Sequence, residues 1–173
     1  SSMILSPTGL YFVRCFETNW EQIYYLDLSL KNKPSRKIYP SSSSSANLYR
    51  LTDQTLGATT LIGKDAKGIL FFISKNDASM RNTVYSLDVK GRIKALTPTD
   101  FDAADVKFTI DCKSFTARLS NAHTPFSKRI YSLSYRNGQV ECKESIETPA
   151  AELPERTPVR TIIYMTTEDG TIL

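Results

Sequence analysis

The sequence predicts an all-β chain built from a repeated antiparallel sheet. Three observations lead there. Tyr, Phe, Val, Ile and Thr dominate the apolar segments, and Tyr85, Leu87 and Val89 alternate with Ser86 and Asp88. Nothing in the 173 residues reads as a long helix, and the longest helix-compatible piece runs only from Phe101 to Asp105. Lines of similar residues also recur along the chain, the signature of a repeat architecture.

The clearest line is a tyrosine-centred strand. It occurs as Ile23-Tyr24-Tyr25-Leu26-Asp27-Leu28, Val84-Tyr85-Ser86-Leu87-Asp88-Val89 and Ile130-Tyr131-Ser132-Leu133-Ser134-Tyr135, with starts 61 and 46 residues apart. An apolar strand precedes each copy: Gly9-Leu10-Tyr11-Phe12-Val13-Arg14-Cys15, Gly68-Ile69-Leu70-Phe71-Phe72-Ile73-Ser74 and Ser114-Phe115-Thr116-Ala117-Arg118-Leu119-Ser120. Arg50-Leu51-Thr52 and Ala95-Leu96-Thr97 repeat 45 residues apart, each closing a short strand. The unit is therefore about 45 residues. The first copy is stretched by an insertion, placed at the serine run 41–45.

Within a unit the elements follow in order. An inner strand comes first, at residues 59–63 or 106–110. A turn follows, Lys64-Asp65-Ala66-Lys67-Gly68 or Asp111-Cys112-Lys113. Then come the apolar strand, a polar loop, the tyrosine strand, and a tight turn at Lys90-Gly91 or Asn137-Gly138. Asn-Gly suits the positive φ angles of a two-residue hairpin turn. An edge strand closes the unit at residues 92–96 or 139–143. Four antiparallel strands repeated in this way describe the blades of a β-propeller. A β-sandwich with chance similarity is the alternative. The expectation is about three four-stranded blades of an incomplete propeller at residues 1–143, divided near 9–51, 52–96 and 97–143. A polar linker at 144–158 and a C-terminal β-hairpin at 159–173 follow, the latter with Glu168-Asp169-Gly170 as its turn.

Counting residues removes much chemistry. The only histidine, His123, lies in the polar loop Ser120-Asn121-Ala122-His123-Thr124-Pro125, so sites needing two histidines are excluded within these residues. Cys15, Cys112 and Cys142 form no C-x-x-C pair, and Cys112 could bridge Cys142 only if their strands lay side by side. The seven glycines complete no G-x-S-x-G, P-loop or G-x-G-x-x-G. No catalytic, cofactor-binding or metal-ligating residue is assigned, and no cofactor is expected. The 22 Lys and Arg against 18 Asp and Glu are scattered. The densest piece, residues 31–37, reads as a solvated loop beside Pro34 rather than a nucleic-acid patch. No run of 18 apolar residues occurs, so no membrane contact is expected within this chain. The absence of an N-x-[ST] sequon and the few cysteines lean away from an oxidising exterior, but the compartment stays open.

The later repeats resemble a known family. Leu96-Thr97, the run from Asp105-Val106-Lys107-Phe108-Thr109 to Ser114-Phe115, and Ser120 to Pro125 followed by Ile130-Tyr131-Ser132-Leu133 are similar to its blade signature. Trp20-Glu21-Gln22-Ile23-Tyr24-Tyr25-Leu26 resembles its Trp/Tyr strand. The family is the dipeptidyl peptidase IV group of the prolyl oligopeptidase serine peptidases, and the match is to the late N-terminal propeller. Residues 159–173 then look like the first hairpin of an α/β-hydrolase domain truncated at Leu173.

The resemblance implies a parent enzyme that removes N-terminal dipeptides with Pro or Ala second, through an acyl-enzyme. This propeller part would gate and position the peptide substrate. The triad would lie beyond Leu173, so the chain alone would be inactive. The paired glutamates that hold the substrate amine would lie upstream; Glu17 and Glu21 are four apart and take no such role. The expected partners are the peptide substrate, the parent's own hydrolase domain, and further copies of this fragment, because an open arc leaves edges and apolar faces uncovered. The alternative is a non-enzymatic β-repeat scaffold that binds protein partners through its loops.

Overall fold

A computed structural model describes residues 3–16, 20–29, 39–40, 47–53, 55–76, 81–154, 158, 163 and 165–168. Every regular element among them is a strand. The first sheet holds β1 (Met3–Ser6), β2 (Gly9–Arg14), β3 (Gln22–Asp27), β4 (Tyr39–Pro40) and β5 (Leu48–Arg50), in the order β1-β2-β3-β5-β4. The second holds β6 (Leu56–Lys64), β7 (Leu70–Asn76), β8 (Asn82–Leu87) and β9 (Ile93–Ala95), in sequence order. The third holds β10 (Asp102–Phe108), β11 (Ser114–Ser120), β12 (Ser127–Arg136) and β13 (Gln139–Thr148), again in sequence order. All neighbouring strands pair antiparallel. This is the all-β, blade-like architecture that the repeat predicts.

Several details differ from the sequence reading. The first sheet begins at β1, ahead of Gly9, and has a fifth strand, β4, outside β5. The Phe101–Asp105 piece is not helical; it supplies most of β10, with Ala103 buried against the second sheet and opposite Leu119. That strand ends at Phe108 because Cys112 N–H bonds back to Thr109 O at 2.9 Å, which turns the chain and leaves Ile110 exposed. β13 passes Lys143 and pairs through Thr148, because its partner β12 is ten residues long. The serine run 41–45 and most of the hairpin 159–173 lie outside the described residues.

Two cores hold the sheets together. Tyr11, Val13, Ile23 and Tyr25 of the first sheet meet Leu70, Phe72, Tyr85 and Leu87 of the second. Phe71 and Val84, on the second sheet's other face, meet Phe115, Ala117, Leu119, Tyr131 and Leu133 of the third. An aromatic ladder Phe71–Phe108–Phe115–Tyr131 crosses this second core with centroid spacings of 5.1, 4.6 and 4.5 Å. The central sheet is thus apolar on both faces, as a stacked blade must be.

Register decides which residues correspond. Phe12 pairs with Tyr24, Phe72 with Tyr85 and Phe115 with Tyr131. Aligning the apolar strands on Gly9, Gly68 and Ser114 is therefore one to three residues out. A one-residue slip exchanges the faces of a strand. By pairing, Phe12, Phe72 and Phe115 are equivalent, as are Tyr24, Tyr85 and Tyr131, and then Leu26, Leu87 and Leu133. In the second and third sheets this trio faces the preceding sheet. Gly9 is required by close approach: a Cβ there would lie 2.2 Å from Leu26 O and 2.7 Å from the Tyr25 ring.

Candidate functional site

The repeated residues build fastenings at the sheet ends. Leu51 N–H donates to Ile23 O at 2.8 Å, and Leu96 N–H to Val84 O at 2.7 Å. The next residue completes each clamp. Ile23 N–H donates to Thr52 Oγ1, and Val84 N–H to Thr97 Oγ1, both at 3.0 Å. The two threonines are buried, so each hydroxyl satisfies a strand amide with no access to water. Thr52 Oγ1 also donates to Gln22 Oε1 at 2.6 Å, and Gln22 Nε2 reaches Leu56 O at 2.8 Å, joining β3 to the second sheet.

A second fastening was legible in the sequence but read only as turns. Asp65-Ala66-Lys67-Gly68 and Asp88-Val89-Lys90-Gly91 share the pattern Asp-x-Lys-Gly. In each, Gly N–H returns to the Asp carbonyl, at 3.1 and 3.0 Å, with Gly φ at +82°. Each Asp Oδ1 accepts from the amides two and four residues on. The acceptances are from Lys67 and Ile69 at 2.9 and 2.8 Å, and from Lys90 and Arg92 at 2.8 and 2.9 Å. Burial alone would raise the Asp88 carboxyl, but bonds from the Arg92 amide and guanidinium and the Lys90 amide outweigh it and hold it below the usual range. Asn137-Gly138 replaces this device in the third sheet, with φ +52° and +75°.

Asp65 goes further than Asp88. Its Oδ2 accepts a short hydrogen bond from Tyr135 of the third sheet, and Lys67 Nζ sits 3.8 Å over the Tyr135 ring. Burial and the Asp65 carboxylate push the Tyr135 phenol well up. On the same sheet, Tyr131 donates to Glu144 Oε2 at 2.6 Å; burial and then Glu144 raise its phenol too. These tyrosines act as neutral donors and carry no reactive proton at neutral pH.

A cleft of about 300 Å³ opens between the outer edges of the second and third sheets, lined by Asp88, Arg92, Lys94 and Val140 among others. Its charges are committed: Arg92 Nε bonds Asp88 Oδ2 at 2.6 Å, and Lys94 Nζ caps Val140 O at 2.8 Å. No nucleophile faces a base there. His123 is exposed, in a loop where its own amide and that of Thr124 bond Asn121 Oδ1. Glu21 is exposed, and Glu17 lies outside the described residues. None of the three cysteines forms a disulfide. Cys112 packs at the β10–β11 turn against Gly63, whereas Cys142 sits on edge strand β13 opposite Leu133. Burial pushes the Cys142 thiol up to about 11. Among the described residues, no three His, Cys, Asp or Glu side chains could hold a metal ion together, and no helix is long and apolar enough to cross a membrane.

The stacked sheets and their clamps set the frame for comparison with known proteins. Residues 2–126 match the family described as the dipeptidyl peptidase IV (DPP IV) N-terminal region. The chain belongs to that family. Among solved structures, the crystal structure of Porphyromonas gingivalis dipeptidyl peptidase 4 is similar over 98% of this chain, with a TM-score of 0.64 and 18% identity. TolB from Acinetobacter baumannii is similar over 82% of the chain, with a TM-score of 0.50 and 19% identity. At such identities the likeness shows the fold. The chain spans 22% of the first protein and 30% of the second. No curated protein matches it.

Proposed function

We propose that these three sheets are late blades of the substrate-gating propeller of a DPP IV-like serine peptidase. The whole protein would remove dipeptides from N-termini with Pro or Ala second. One observation carries the reading: the DPP IV N-terminal family model covers residues 2–126, the first two sheets and the first two strands of the third. The blade chemistry supports it. The Phe/Tyr/Leu trio points toward the preceding sheet in the second and third sheets, which is how successive propeller blades stack. In this role the chain's residues hold blades in place and do no bond-breaking themselves. Nucleophile, base and amine-binding carboxylates would come from other parts of the parent. A β-repeat scaffold without catalysis is the second reading, favoured by the likeness to TolB, which is not named as a peptidase.

The two readings separate on the native protein. Antibody raised to this chain is used to capture it from cells that express it, and the captured material is assayed with Gly-Pro and Ala-Pro arylamides. The peptidase reading expects release of the arylamine, blocked by a serine-reactive inhibitor. Captured protein with no such activity favours the scaffold.

A further inference from the structure

The cleft between the second and third sheets exists because the second sheet departs from the first at two paired positions. By register, Ser86 is the equivalent of Tyr25, and Lys94 the equivalent of Tyr49. Where the first sheet meets the second, Tyr25 and Tyr49 stack at 6.4 Å and fill the space. Where the second meets the third, a hydroxymethyl and an ammonium stand at those positions, and about 300 Å³ stays open. Both walls belong to this chain, so a further blade stacked on either end leaves the cleft open.

The polar groups in the cleft are only partly used. Ser86 is 3% exposed and lines the cleft, yet its hydroxyl has no hydrogen-bond partner among the described residues. A buried hydroxyl left in that state is uncommon and costs stability. Arg92 binds Asp88 Oδ2 through Nε, and its two terminal nitrogens have no partner among the described residues. Lys94 gives one of its three N–H groups to Val140 O. Two cations against one carboxylate leave one positive charge, and Ile93 and Val140 add an apolar wall.

We infer that this cleft binds a small carboxylate with a short apolar body, such as the free C-terminal residue of a peptide or a free acid of that size. The carboxylate accepts from Lys94 Nζ and the terminal nitrogens of Arg92, and Ser86 donates its hydroxyl from the floor. The apolar body lies on Ile93 and Val140. A carboxylate cancels the single positive charge. A phosphate dianion would leave one negative charge uncompensated beside Asp88 in a partly enclosed site.

The test is a two-dimensional NMR titration of the 173-residue chain in phosphate-free buffer. The probes are N-acetyl-leucine, N-acetyl-leucinamide, the tripeptide Ala-Ala-Leu and inorganic phosphate. N-acetyl-leucine should move the amides of Ser86, Lys94 and Val140, with a dissociation constant on the order of 1 mM, the scale for a ligand of about a dozen non-hydrogen atoms. The leucinamide lacks the charge and should bind at least about tenfold more weakly. Phosphate should also bind more weakly than the acid. Binding of the tripeptide as well as the acid supports a peptide end as the occupant, and binding of the acid alone supports a free acid. Ser86→Ala should weaken the acid about fivefold, and Lys94→Met at least about tenfold. Unchanged far-ultraviolet circular dichroism confirms that each variant folds. Ser86→Ala removes a group with no partner, so the empty protein should be no less stable. No shift at these amides, equal binding of the leucinamide, phosphate binding as tightly as the acid, or unchanged binding in either folded variant would each overturn the inference.

Discussion

Replacing Thr97 by Val tests the fastening that explains one repeated line of the sequence. The side chains are nearly the same shape, so packing is kept and only the hydroxyl is lost. Thr97 is 3% exposed and Val84 fully buried, and Thr97 Oγ1 is the acceptor for Val84 N–H. Valine leaves that amide with no partner and no route to water. An unsatisfied buried donor costs about 1–3 kcal/mol, and the added methyl returns less than about 1 kcal/mol. The net loss should be about 1–2 kcal/mol, or a Tm fall of roughly 2–8 °C for a chain of this size. Thr97→Ser keeps the acceptor and should lose less than half as much. The assay is urea unfolding followed by circular dichroism, with exchange of the Val84 amide by NMR as a local readout. Exchange should accelerate in the Val variant only. Equal stability of Thr97→Val and wild type, or equal losses in Val and Ser, would refute the reasoning.

Other predictions rest on the turns, the tyrosines and the thiols. Because the folded state holds the Asp88 carboxyl below its ordinary value, its contribution is present above the unfolded pKa of about 4 and disappears as pH falls through the folded value. Asp88→Asn should therefore be less stable than wild type at pH 7, and the two should converge below about pH 4 in pH-dependent urea melts. Tyr135→Phe removes the bond to Asp65 between the second and third sheets and should cost about 1 kcal/mol. The Tyr131 and Tyr135 phenols are both raised, so their stabilising bonds persist below the unfolded pKa of about 10 and fail as pH rises through the folded values. Ultraviolet titration of the native chain should show these two ionising after the ordinary tyrosines. Of the three cysteines, none in a disulfide, only Cys15 is exposed, so Ellman's reagent at pH 8 should modify one thiol quickly and the Cys112 and Cys142 thiols only on unfolding.

The fold class was legible because composition, alternation and a 45-residue recurrence agree. The Leu-Thr pairs stood out as a repeated line, but their purpose did not. A hydroxyl that accepts an amide 13 or 29 residues away is set by tertiary pairing, which sequence spacing does not carry. The Asp-x-Lys-Gly turns were visible as turns; their repetition at Asp65 and Asp88 was the signal that an aspartate cap recurs. Register was the weakest point. Gly9 and Gly68 invited alignment, yet Gly9 is glycine because Leu26 O approaches it, whereas Gly68 is glycine because its φ is +82°. Two unrelated requirements for the same residue displaced the strands by one position and hid the shared Phe/Tyr/Leu trio. The helix-compatible piece Phe101–Asp105 joins the strands, because burial of Ala103 against the second sheet outweighs the local preference of its two alanines.

The most direct test of the central claim is a gel of the native protein. Cells that express it are treated with a fluorophosphonate probe for serine hydrolases. Antibody to this chain then captures its native form, and the captured protein is sized. A peptidase propeller predicts a probe-labelled band several times larger than 19.5 kDa. An unlabelled band near 19.5 kDa would contradict it.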